Sequence, residues 1–179
     1  MNAPGKHKVA RNGYIAISVI FYLTGMVHMI CLSIPIMALC IIGAGILIAY
    51  GVIKMIGYFS DDLYCLAFQY DMACGLLLLI VGMIVLGWNL RLEPYLAPGL
   101  GFLILLDSLL KVQTSREAKA FGLQSWHWIL IAAVIAGIFG ILIVLAPFRT
   151  ERAAHIVTGC GLLLEGGMNH LVVKAAVRM

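Results

Sequence analysis

Residues 126–148 of the chain read WHWILIAAVIAGIFGILIVLAPF, a run of 23 residues without one Asp, Glu, Lys or Arg. About 20 apolar residues in a helix cross the hydrocarbon core of a bilayer, which is about 30 Å thick. A helix also satisfies every backbone N–H and C=O within the segment, which lipid requires. This stretch therefore predicts a transmembrane helix.

The rest of the chain has the same character. Its 179 residues are 63% hydrophobic and only 11% charged, with a mean hydropathy of +1.06, too little charge to cover a soluble domain. Six apolar segments stand between polar, Pro or Gly residues: 14–34, 36–58, 66–88, 95–112, 126–148 and 153–173. The sequence predicts one all-α integral membrane domain over residues 14–175, with tails at 1–13 and 176–179.

Short turns predict that the six helices form three consecutive hairpins, over residues 14–58, 66–112 and 126–173. Each turn contains a proline, and each second helix opens with Gly-x-Gly and approaches its far end with a residue that can carry positive charge. The members of the three sets are Pro35, Pro94 and Pro147; Gly43-Ala-Gly45, Gly99-Leu-Gly101 and Gly159-Cys-Gly161; and Lys54, Lys111 and His170. The pattern predicts an internal repeat.

The flanking charges predict the orientation. Nine Lys and Arg residues fall on the side of the two termini and three on the other side, which favours cytoplasmic N and C termini. Because these residues sit at helix ends, the net charge of +4 indicates membrane anchoring and no nucleic-acid partner. Cys31 and Cys40 flank Pro35, so a disulfide between them is an open alternative.

No enzyme signature is present: the sequence contains no G-x-S-x-G, no H-E-x-x-H and no phosphate-binding glycine loop. Glu165 and His170 are five residues apart, off the i,i+4 spacing that places two metal ligands on one helical face. We therefore predict a protein that is not an enzyme and that holds no cofactor and no metal.

Ionisable side chains at membrane depth cost about 2.5–3.5 kcal/mol even on lenient insertion scales, so each requires a reason. Glu165 lies near the middle of the sixth segment, with Asn169 one turn further on the same face and His170 next to it; His28 lies in the first segment. One hypothesis makes these four residues an intramembrane polar site that binds or senses protons, with His28 as an acid sensor. The other makes Glu165 a protonated structural residue that is hydrogen-bonded to a neighbouring helix, and His28 a neutral packing residue.

Asp107 and Lys111 stand at i,i+4 near the end of the fourth segment and predict an ion pair at the membrane interface. Lys54 and Asp71 lie near helix ends, where the helix dipole and the interface suit their charges. We interpret all four as structural.

Small residues predict close helix contacts. Ala132, Ala136 and Gly140 follow one another at i+4 in the fifth segment, and Gly45 and Ala49 do so in the second. These faces could pack within the chain or between copies of it, so a homo-oligomer is an open alternative beside the expected partner, the lipid bilayer. The sequence does not identify a small-molecule ligand.

The chain also resembles the HdeD-like membrane proteins, a family built from a short membrane repeat. The most specific part of the resemblance lies between residues 106 and 171. It runs through the stretches LDSLLKVQT (106–114), AKAFG (118–122), SW (125–126), GIFGIL (137–142) and APF (146–148). An Asp-x-x-x-Lys-x-Gln element closing the fourth helix is similar to the Gram-positive type of this family. The resemblance implies a bacterial cell membrane location and a role in acid resistance, and it carries over no catalytic motif.

Two functions follow as hypotheses. The first is a non-enzymatic membrane protein that contributes to acid or envelope stress tolerance. The second is a transporter or channel for protons or a small solute, with Glu165 and His28 in its pathway.

Overall fold

The computed structural model describes residues 6–31, 34–59, 71–87, 93–120, 126–145 and 150–177, together with Gly122 and Gln124. Within these ranges the chain forms six helices and no strand. They are α1 (Lys6–Ile30), α2 (Ile36–Tyr58), α3 (Asp71–Gly87), α4 (Glu93–Ala120), α5 (Trp126–Leu145) and α6 (Glu151–Val177). The prediction of an all-helical protein with six helices is confirmed.

Five of these helices, all except α3, are long and apolar enough to cross a bilayer. The described part of α3 has 17 residues, which corresponds to about 26 Å of helix. Large apolar side chains on the outside of the bundle are exposed, among them Ile30, Met83 and Leu145. The helices therefore suggest a multi-pass membrane protein with a surface suited to lipid.

The helix boundaries follow the apolar segments only in part. α2 has the predicted bounds, beginning directly after Pro35, because proline suits a helix start and disfavours helical geometry in the residue before it. α1 instead begins at Lys6, within the predicted tail, and ends at Ile30. The predicted segment ends at 66–70, 88 and 146–148 lie outside the described residues.

The predicted end of the fourth segment at residue 112 is wrong, because residues 113–120 continue α4 to Ala120. These residues are polar but include Gln, Arg, Glu, Lys and Ala, which are strong helix formers. Ser115 is buried there, and its Oγ donates a hydrogen bond to the backbone oxygen of Trp126 at 2.9 Å. The helix stops near Gly122, whose positive φ of 76° is typical of a glycine just after a helix end.

Three antiparallel pairs pack most extensively: α1 with α6, α2 with α3, and α4 with α5. Each pair has facing glycines where the backbones approach closely. A Cβ built on Gly25, Gly51 or Gly101 would lie 2.8–2.9 Å from the backbone oxygen of Gly159, Gly75 or Gly140, respectively. The prediction of close contacts through small residues thus holds for Gly140, whereas Gly45 and Ala49 are exposed and face away from the other described helices.

The α1–α6 pair defines the two ends of the bundle. Gly25 lies beside Gly159, and Ser18 lies beside Gly166, so the start of α1 and the end of α6 are at the same end. We call this the terminal end. Cys31 is exposed just after α1 and Cys40 is buried in α2, and no disulfide joins them.

Candidate functional site

Eight polar side chains gather inside the bundle, toward the terminal end. We call this group the polar core; its members are Tyr14, Tyr50, Lys54, Asp71, Asp107, Lys111, Glu165 and Asn169. None of these residues is more than 7% exposed. Charged residues are almost never this deeply buried unless they are paired, so each charged member of the polar core is expected to have a partner.

Three helices each supply two members, one turn apart. These i,i+4 pairs are Tyr50 and Lys54 on α2, Asp107 and Lys111 on α4, and Glu165 and Asn169 on α6. An i,i+4 spacing puts both side chains on one helical face, so each helix turns a two-residue polar patch inward. α1 and α3 add Tyr14 and Asp71, which come from near the start of each helix.

Acids and bases alternate through the polar core. Nζ of Lys54 lies 2.8 Å from Oδ1 of Asp71 and 3.0 Å from Oδ1 of Asp107. Lys111 bonds the other oxygen of Asp107 and lies 3.5 Å from Oε1 of Glu165. The order is therefore Asp71, Lys54, Asp107, Lys111 and Glu165, with each ammonium group between two carboxylates.

Neutral donors complete both ends of this series. The Tyr14 hydroxyl donates to Asp71, and the Tyr50 hydroxyl lies 2.9 Å from Oδ1 of Asn169 and 3.2 Å from Oε1 of Glu165. Lys111 also donates to Oδ1 of Asn169 at 2.8 Å. Nζ of Lys54 lies 4.9 Å from the centre of the Tyr50 ring, which adds a cation–π contact.

One buried oxygen is left over. Oε2 of Glu165 has no hydrogen-bond partner among the described residues, although the side chain is buried and its other oxygen is within reach of three donors. Buried polar atoms of proteins rarely lack a partner, so such an atom calls for an explanation.

The polar core is suited to holding charge and protons. Across the part of the chain that the structure describes, no group of three His, Cys, Asp or Glu residues is arranged to hold a metal ion. Paired and hydrogen-bonded charges in a dry interior are strongly coupled, since the local dielectric constant is low. Adding or removing one proton therefore changes the balance of the whole group.

The residues that the sequence singled out separate into two groups. Glu165 and Asn169 share the polar core with Asp107 and Lys111, and that ion pair lies within the packed bundle and contacts Lys54 as well. His170 is exposed on α6 and points away from this core.

His28 lies elsewhere on α1. Its ring lies against that of His155 of α6, with 4.5 Å between the ring centres and the planes tilted by 40°. It is 14 residues along α1 from Tyr14, which corresponds to about 21 Å of helix. The structure therefore separates His28 from the polar core.

Sequence reasoning missed the roles of Tyr14, Tyr50, Lys54 and Asp71. A repeat in the sequence could have identified the paired residues on three of the helices. Lys54 and Lys111 are 57 positions apart, and Asn169 follows after 58 more. The same steps lead from Tyr50 to Asp107 and then to Glu165. Matching the repeat on Asn169 instead of His170 would have aligned these pairs.

Comparison with known proteins identifies no relative of the chain. No family model matches the chain, and no curated protein or solved structure is detectably similar to it.

Replacing Tyr50 by phenylalanine is expected to lower the free energy of unfolding by about 1–3 kcal/mol, because buried acceptors on Glu165 and Asn169 lose a donor. The ring contact with Phe21 is retained, so packing changes little. Reversible unfolding in mixed micelles measures the loss, with Tyr58→Phe, an exposed position on the same helix, as the control. Equal effects of the two variants would contradict the assigned hydrogen bonds.

Proposed function

We propose that the chain is a non-enzymatic, multi-pass membrane protein whose polar core takes up protons and thereby contributes to acid or envelope stress tolerance. The observation that carries this proposal is the buried set of five alternating charged groups, in a protein that exposes many large apolar side chains on its outside. Charges are expensive at this depth and are usually found in membranes where a proton or ion is handled.

The resemblance to the HdeD-like family supports the same function. The stretch that carries the resemblance, residues 106–171, contains four of the eight members of the polar core: Asp107, Lys111, Glu165 and Asn169. We propose on this basis that the chain is HdeD-like and lies in a bacterial cell membrane, with its terminal end in the cytoplasm.

We also propose that the bundle is built from three repeated hairpins, α1–α2, α3–α4 and α5–α6, and that its most extensive helix contacts join one hairpin to the next. Support comes from the glycines of the odd-numbered helices: Gly25, Gly82 and Gly140 are 57 and then 58 positions apart. Each would place a Cβ within 3.2 Å of a backbone oxygen of the facing helix, and those oxygens belong to Gly159, Ala44 and Gly101. Residues 44, 101 and 159 show the same steps of 57 and 58. The glycines and the residues they approach therefore recur at the same intervals along the chain, as a threefold repeat would produce.

A proton pathway is the second candidate function. The alternating order from Asp71 to Glu165 would favour it, since neighbouring groups are within hydrogen-bonding or ion-pair distance. His28 gives it no support, because its ring contacts His155 instead. Protein reconstituted in liposomes with an internal pH dye separates the two candidates: proton uptake without net flux favours the first, and dissipation of a pH gradient favours the second.

Deleting the gene is expected to reduce survival of acid shock, and the wild-type gene is expected to restore it. Glu165→Gln should fail to restore survival, because the buried acid can no longer take up a proton. Glu151→Gln, an exposed change on the same helix, should restore it fully. Counting viable cells after acid challenge, at matched membrane levels of each variant, measures the effect. Survival of the deletion strain at the wild-type level in all growth phases would refute the proposed role.

A further inference from the structure

The charges of the polar core do not balance. Among the described residues it contains three carboxyl groups, on Asp71, Asp107 and Glu165, but only two ammonium groups, on Lys54 and Lys111. If all five were ionised, the group would carry a formal charge of −1. An uncompensated charge in a protein interior costs several kcal/mol even after relaxation, so binding one proton would stabilise this group of described residues.

The three carboxyl groups are not equally well paired. Asp71 accepts from Lys54 at 2.8 Å and from the Tyr14 hydroxyl, and Asp107 bonds both lysines. Glu165 has a single ammonium neighbour, Lys111, at 3.5 Å, and its Oε2 has no partner among the described residues. Glu165 is therefore the carboxyl group that is least stabilised as an anion.

We infer that the polar core binds one exchangeable proton, and that Oε2 of Glu165 carries it. This inference rests on the proposed proton-dependent function and assigns the site of uptake. A protonated Oε2 would still lack an acceptor among the described residues. That costs about 1–3 kcal/mol, less than a buried net charge.

The surroundings of Glu165 favour a proton over a metal cation. Glu165 contacts Tyr50 of α2, Lys111 of α4 and Asn169 of its own helix α6, and its charge also interacts with Lys54 of α2 and Cys74 of α3. Asp107 and Asp71 follow further along the series of charges. A hard cation takes several oxygen ligands, whereas here the ammonium of Lys111 lies 3.5 Å from the same carboxyl group. That ammonium would repel a bound metal cation, whereas a proton bonds covalently to one carboxyl oxygen and needs no shell of oxygen ligands.

Infrared spectroscopy of the full chain in lipid tests the inference through the carbonyl band of protonated carboxylic acids. The wild type is expected to show one such band, which grows as the pH is lowered from neutral to acid and is insensitive to sodium. The band should shift when glutamate is labelled with ¹³C at its side-chain carboxyl carbon, and not when aspartate is labelled. It should be lost in Glu165→Gln and kept in Glu151→Gln.

The labelling uses the wild-type protein, so the test does not depend on the folding of a variant. A band that shifts with labelled aspartate would place the proton on Asp71 or Asp107 and overturn the assignment. Loss of the band on adding sodium at fixed pH would overturn the choice of a proton. If the band behaves as expected but the deletion strain survives acid normally, the proton site stands and the role in acid tolerance falls.

Discussion

Replacing Lys54 by methionine is expected to lower the free energy of unfolding by about 3–5 kcal/mol, because it removes one partner from two buried ion pairs. Its ammonium lies 2.8 Å from Asp71 and 3.0 Å from Asp107, and its side chain is 4% exposed. Methionine retains most of the volume, so the loss reports charge more than packing. Reversible unfolding in mixed micelles measures it.

Two further variants separate charge from other causes. Lys174→Met makes the same change at an exposed position of α6 and should cost little. Adding Asp71→Asn to Lys54→Met removes one stranded carboxylate and should recover part of the lost stability. Should Lys54→Met match Lys174→Met, or the second substitution recover nothing, the ion pairs would not be the source of the stability.

The helices could be predicted from the sequence because each contains a long apolar run. In lipid, such a run satisfies its backbone hydrogen bonds by forming a helix. Where a helix continues into polar residues, hydropathy no longer marks its end. Residues 113–120 of α4 illustrate this, because helix propensity and the buried Ser115 extend the helix beyond its apolar part. The start of α1 at Lys6 is a second example.

Only the parts of the site that lie within one helix could be predicted from the sequence. An i,i+4 spacing identified Asp107 with Lys111, and Glu165 with Asn169, since both members of each pair lie on one face. That Lys54 joins the first pair depends on how α2 rotates against α4, which no local pattern determines. A lysine one turn from a helix end is equally suited to the interface and to the interior, so its burial had to come from the structure.

Glycine positions show the same division between local pattern and packing. The Gly99-Leu-Gly101 motif predicts close contact, but only one of its glycines makes it. A Cβ on Gly101 would lie 2.8 Å from Cβ of Ile143 and 2.9 Å from the backbone oxygen of Gly140, whereas a Cβ on Gly99 would meet no atom of the described residues within 4 Å. Residues two positions apart on a helix differ by about 200° around its axis, so the two glycines face opposite sides.

Gly101→Leu is therefore expected to lower the free energy of unfolding by about 3 kcal/mol, the upper end of the usual cost of overpacking. The obstructing atoms include backbone of α5, which cannot move aside as a side chain tip can. Separating α4 from α5 also disturbs the helix that carries Asp107 and Lys111, so the infrared band of the protonated carboxyl group should change as well.

Gly99→Leu provides the control on the same motif. Its side chain would point into open space, and leucine has the higher helix propensity by up to about 1 kcal/mol, so stability should be unchanged or slightly raised. Thermal unfolding of the two variants in the same detergent measures the difference. Equal stability of Gly101→Leu and Gly99→Leu would mean that α4 and α5 do not depend on this close approach, and the glycine pairs would lose their role in setting the helix positions around the polar core.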